Sequence, residues 1–395
     1  MPLNINRLKD MIQDSNINFL FGSGMSAPYL NTLGKIESLL TDLSREDCEI
    51  KNEANKKIII SSLYKKFFDD VIDKNLDILN ENNDSRTIID NYKTFFEKLN
   101  SLILKRKNKL LSKQINIFTT NIDICLEKAI EEKNFECNDG FNGRFKPQYD
   151  LSNFKKSLYK TSLHYENSSE IPVFNIMKIH GSLTWMLNKH NRVIFDSNLT
   201  LVKNIKEVNL ADAKDFILIS DDDNLATLET KINNINCENL HNFIAEYNKL
   251  AIVNPTKDKF RDTIINQIYY DLLRIYANEL EKENTILFVM GFSFADEHIR
   301  ELTLRVANSN PTLIIYIFAY TNEAKTIIEH NIDMNSVKNS NIFIIAPEIL
   351  ADVDNNSEDK DDKCETDAFK YDFATINQKI FEKLLAQING NIADE

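Results

Sequence analysis

Glycine is scarce in this chain, and where it occurs constrains the fold more than any other feature. There are eight glycines in 395 residues, about 2% where about 7% is usual. Four of them, Gly22, Gly24, Gly181 and Gly291, stand within three residues of the end of short apolar runs. Strand ends followed by glycine are where α/β proteins bind their ligands. Apolar runs at Ile17–Phe21, Ile115–Phe118, Val173–Ile179, Leu250–Val253, Thr285–Met290, Leu313–Phe318 and Ile342–Ile345 read as strands. Helical spacing is read at Asn4–Asp14, Asn31–Leu43, about 56–111 (two or three segments), Ile122–Glu132, Phe260–Leu280 and Phe369–Ile388, with Asp296 capping one further helix. This alternation predicts an α/β, Rossmann-like fold: a mostly parallel sheet with helices on both faces, plus a helical layer over about 48–112. Asn138–Ser169 reads as polar and irregular, Leu201–Tyr247 as an acidic insertion, and Asp352–Asp367 as an acidic mobile loop.

Composition narrows the function classes. Hydrophobic residues are 43% and charged residues 27%, ordinary for a protein with a real core. No run of about 18 apolar residues exists to span a membrane. Met1–Asp14 lacks the apolar core of a signal peptide, so a cytoplasmic location is expected. A net charge of −13 argues against direct nucleic-acid binding. The basic run Lys105–Lys109 reads as a solvated helix face. The five cysteines form no C-x-x-C pair, so neither a zinc site nor a disulfide framework is signalled, and no metal is expected.

Four strand-end motifs hold the residues suited to chemistry. Gly22-Ser23-Gly24-Met25-Ser26 would let a phosphate approach the backbone, or it is a tight strand–helix turn. In Thr119-Thr120-Asn121-Ile122-Asp123, the Asn121 amide could orient a ribose hydroxyl or a water, with Asp123 bracing it. An Asx turn or helix cap explains the same residues. His180, beside Gly181, suits general acid–base work, although a lone histidine is often structural. Gly291-Phe292-Ser293 could grip phosphate or ribose, or form a capped turn before Asp296. Trp185, the single tryptophan, reads as core.

Taken in order, GSGMS (22–26), TTNID (119–123), HG (180–181) and GFS (291–293) resemble the sirtuin superfamily. Two features separate this chain from protein-deacylating sirtuins: it lacks their zinc-binding Cys-x-x-Cys pairs, and Ser26-Ala-Pro-Tyr-Leu-Asn31 stands in place of their Pro-Asp-Phe-Arg segment. The wording KIHGSLTW and GFSFAD is similar to that of the sirtuin-like NADases of bacterial antiphage defence, and a chain of this length resembles the partner of a HerA-like ring ATPase.

The resemblance implies a NAD hydrolase with NAD as substrate. Asn121 and His180 would be catalytic. Gly22, Ser23, Gly24, Met25, Ser26, Thr120, Asp123, Gly291, Phe292 and Ser293 would surround the dinucleotide. Residues 1–350 would form the NADase domain, with the insertion at about 201–247, followed by an acidic segment and terminal helix over 351–395. A homo-oligomer controlled by a protein partner is expected, because unrestrained NAD consumption would kill the cell. Two other readings stay open: a NAD-dependent deacylase or ADP-ribosyltransferase, and a non-catalytic sensor of NAD or ADP-ribose.

Overall fold

The computed structural model describes residues 4–210, 216–232, 237–254, 263–347 and 370–390, apart from residues 33 and 46. The central sheet holds β1 (Asn16–Phe21), β2 (Gln114–Thr119), β3 (Glu136–Asn138), β4 (Val173–Lys178), β5 (Thr285–Met290), β6 (Ile314–Phe318) and β7 (Ile342–Ile345). Every pairing is parallel, in the spatial order β7-β6-β5-β1-β2-β4-β3. The chain builds outward from β1 through β2 to β4, then returns to the other side of β1 with β5. Chain order therefore reverses between β1 and β5, the switch point where Rossmann-type sheets leave a crevice.

The inner strands are buried on both faces, as a parallel sheet requires. Phe19, Phe21, Ile117, Ile176, Phe288 and Phe318 face one core. Their neighbours in sequence, Leu20, Phe118, Met177, Leu287, Val289 and Ile317, face the other. The first core is covered by α1 (Ile5–Gln13), α2 (Gly34–Ser44), α3 (Glu53–Phe67) and α4 (Asn83–Leu104). The second is covered by α6 (Thr263–Leu280) and α7 (Glu297–Ser309); α5 (Cys125–Lys133) follows β2 and packs against α4 on the first. The terminal helical stretch Phe373–Gly390 lies on the first face, where Phe381 meets Phe19, Phe95 and Phe288.

One polar row interrupts the second face. Asn18, Asn116, Asn175 and Asn138 are opposite one another on four adjacent strands. Their amides bond in series, Asn116 Nδ2 to Asn18 Oδ1 at 2.7 Å, Asn175 Nδ2 to Asn116 Oδ1 at 2.9 Å and Asn138 Nδ2 to Asn175 Oδ1 at 2.8 Å. Each buried amide thus has a partner, which removes the penalty for placing it inside a sheet.

Several sequence expectations need correction. The stretch 138–169 is not irregular: Phe141–Asn142 and Gln148–Tyr149 join Trp185–Leu187 and Val193–Phe195 in a small antiparallel sheet, and Leu158–Thr161 pairs with Ser168–Ile171 as a hairpin. Its strands are too short and polar to show a period of two. Leu250–Val253 is no full strand; it makes one bridge, Ile252 to Gly181. Lys105–Lys109 is not a helix face, since α4 ends at Leu104 and Arg106 is buried, donating to the carbonyls of Ile12 and Ser15 at 3.0 and 2.9 Å. The 201–247 region contributes the helices Thr200–Leu210, Leu225–Thr230 and Cys237–Tyr247, and its apolar side is already covered: Tyr247 stacks on Tyr64 at 4.7 Å. Trp185 is buried against Tyr149. The acidic segment 352–367 lies outside the described residues. None of the described helices is long and apolar enough to cross a membrane.

Candidate active site

Register brings the four motifs together. Met290, Phe21, Thr119 and Lys178 are directly paired across β5, β1, β2 and β4. Gly291, Gly22, Thr120–Asn121 and His180 therefore leave the sheet side by side at its carboxyl edge. Main-chain bonds continue the alignment past the strand ends, Thr120 N–H to Phe21 O at 3.1 Å and Ile179 N–H to Thr119 O at 2.8 Å.

The glycines serve the switch point itself. Gly22 N–H donates to Met290 O and Gly24 N–H to Gly291 O, both at 3.0 Å. A Cβ on Gly22 would stand 2.4 Å from Gly291 O, and one on Gly291 would stand 2.5 Å from Met25 N. Gly291 also holds a left-handed backbone at φ 64°. Met25 N–H and Ser26 N–H close a short 3-10 turn onto Gly22 O and Ser23 O. These four N–H groups are thus hydrogen-bonded within the protein. The glycines are there because two backbones touch.

Met25 and the Ser26 side chain face inward. Met25 is buried in the first core. The Ser26 hydroxyl points inward, donating to Asp123 Oδ2 at 2.8 Å and lying 3.1 Å from the Tyr92 hydroxyl. Asp123 also accepts from Cys125 N–H at 3.0 Å, so it ties the glycine loop, α4 and the start of α5 together. Burial and the nearby Asp123 carboxylate push the Tyr92 hydroxyl far above its usual range. Lys178, itself buried, donates to the Asp123 carbonyl and pairs with Glu127 at 3.0 Å. Burial raises the Glu127 carboxyl even with that cation beside it.

Within this braced frame one donor is left over. Asn121 is 8% exposed, its main-chain N–H is satisfied by Thr119 Oγ1 at 3.0 Å, and its amide lies beside Tyr92. Its Nδ2 makes no hydrogen bond of acceptable geometry. A buried donor without a partner costs about 1–3 kcal/mol. At a strand end in the crevice, such an amide is available to a ligand.

His180 follows β4 and is half-buried. Its backbone is clamped, with Val253 N–H donating to His180 O at 2.8 Å and Gly181 at φ 79° closing against Ala251. Its ring lies near Tyr269 and places Nε2 3.2 Å from Asp296 Oδ2.

This arrangement of a parallel sheet, a strained switch point, a spare amide and a histidine agrees with the comparison to known families. A SIR2-like domain model matches residues 115–345. The chain belongs to the SIR2-like domain family. No curated protein matches it. Among solved structures, a Sir2 variant with a deacetylated p53 peptide and 3'-O-acetyl ADP-ribose is 11% identical over 80% of this chain and 87% of that one, with a TM-score of 0.29. The assignment rests on the family model, and membership implies NAD-linked chemistry.

For a SIR2-like protein the remaining expected residues divide clearly. Ser23, Thr120 and Phe292 are half-buried and Ser293 is exposed, so their side chains can meet a ligand. Phe294, just beyond, is buried at φ 59°, a strained backbone for a bulky residue. Sequence reasoning treated Asp296 only as a cap and did not single out Tyr92, Glu127 or Tyr269. Asp296 does cap α7, accepting from Ile299 N–H at 3.2 Å, but its second oxygen reaches His180. A cap signal hides such a second role. Tyr92 lies within a 22-residue helix and carries no local signal. No group of three potential metal ligands occurs among the described residues.

Proposed function

We propose that this chain hydrolyses the nicotinamide–ribose bond of NAD, releasing nicotinamide and ADP-ribose, with residues 1–350 as the catalytic unit. The observation that carries this reading is the unspent, buried amide of Asn121, one registered strand away from His180. Nicotinamide leaves as a neutral group from a cationic precursor, so the transition state is oxocarbenium-like. The protein has mainly to orient the ribose, tolerate positive charge and place a water. Asn121 can donate to and accept from the ribose hydroxyls and the attacking water at once. His180 takes a proton from a ribose hydroxyl or the water. Ser23, Thr120, Phe292 and Ser293 line the path of the dinucleotide, and the glycines hold the two loops in place.

The wider role in this reading is that of an antiphage effector that depletes NAD, held inactive as a homo-oligomer until a HerA-like ring ATPase engages it. The support is the sequence resemblance, together with an acidic surface that leaves nucleic-acid contact to a partner. The test is to incubate the purified chain with NAD, alone and with a candidate HerA-like ring ATPase, and identify products by mass. Release of nicotinamide and ADP-ribose supports the reading. Turnover of acyl-lysine peptide, or NAD binding with no release under any condition, replaces it with a deacylase or a sensor.

A further inference from the structure

The contact between His180 and Asp296 joins two strand ends that are not neighbours in the sheet. His180 follows β4, while Asp296 lies beyond β5, with β1 and β2 between them. Asp296 is nine-tenths buried and uses its two oxygens for different tasks. Oδ1 accepts from Ile299 N–H and fixes the first turn of α7, while Oδ2 faces His180 Nε2 at 3.2 Å. Helix α7 thus locks the carboxylate before it meets the ring. Tyr269 on α6, 1% exposed, packs against the ring with centroids 5.9 Å apart, and the clamp on the His180 carbonyl limits the backbone.

We propose that Asp296 is the positioning residue for His180: it holds the proton on Nε2 and so leaves Nδ1 as the nitrogen that accepts a proton. A carboxylate is an acceptor only, so the neutral ring bonds to it through Nε2–H. The lone pair is then on Nδ1. When Nδ1 takes a proton from the ribose hydroxyl or water, the ring becomes a cation with Asp296 already beside it. That interaction strengthens along the reaction coordinate, the property a catalytic contact requires. The step rests on the NADase reading; the tautomer assignment does not.

The test uses Asp296→Asn, which keeps the side-chain shape and an acceptor for the α7 cap but removes the charge. Nitrogen-15 NMR of labelled His180 across a pH series reads the tautomer directly. The wild type is expected to hold the proton on Nε2, and Asp296→Asn to lose that preference. NAD turnover should fall about tenfold or more in kcat, with KM for NAD nearly unchanged and the melting temperature preserved. Asp296→Ala should lose the cap as well and melt lower. A His180 tautomer that is the same in wild type and Asp296→Asn overturns the proposal, as does an Asp296→Asn enzyme with wild-type kcat. If the wild type releases no nicotinamide either alone or with the ring ATPase, the NADase reading fails by itself, and the NMR result still decides whether Asp296 sets the ring.

Discussion

Replacing Gly291 by alanine tests whether the switch point is built on backbone contact. The new Cβ would stand 2.5 Å from Met25 N and 2.8 Å from Gly24 C, both main-chain atoms that cannot swing aside. Relief to an ordinary contact of 3.4 Å requires the β1 loop to retreat by about 0.9 Å. Alanine also resists the left-handed conformation, at about 1 kcal/mol. The retreat weakens the Gly24–Gly291 main-chain bond and strains the Ser26–Asp123 bond, each worth about 1 kcal/mol. Together these place the loss near 3 kcal/mol. Because a displacement of this size misaligns the crevice, NAD cleavage should fall about a hundredfold even in folded protein. Urea denaturation and a nicotinamide-release assay give the two readouts. Gly34→Ala is the control, because nothing lies within 4 Å of its Cβ and its backbone is not left-handed. Gly34→Ala should stay within about 1 kcal/mol of the parent. A Gly291→Ala protein as stable and as active as Gly34→Ala would refute the argument.

Asn121→Ala should lower NAD cleavage by about two or more orders of magnitude while leaving the fold intact; denaturation and turnover measured on one preparation check both halves. Ser26→Ala should do the reverse in stability, costing about 1–3 kcal/mol as the buried Asp123 carboxylate loses a donor, which a urea melt reads. Dialysis against EDTA should leave the melting temperature unchanged, since no cluster of three potential ligands occurs among the described residues; a large drop would reveal a missed metal site.

The parallel sheet, most of its strands and the four chemical motifs were legible in the sequence because the information is local. An apolar run declares a buried strand, and a glycine after it declares a turn that a side chain would obstruct. Asn121 and His180 could be named for the same reason: both lie within three residues of the end of such a run. What each group touches was decided only in three dimensions. Gly22 and Gly24 sit some 270 residues from Gly291 in sequence, and only strand order shows that they make room for each other. Ser26 resembled a ligand contact until folding turned it toward Asp123 and Tyr92, 97 and 66 residues away. Asp296 read as a helix cap because capping is a local act, whereas its bond to His180 spans 116 residues. The small antiparallel sheet and the buried Arg106 escaped for a related reason. Their partners lie in other segments, and no periodicity within a segment records a contact made outside it.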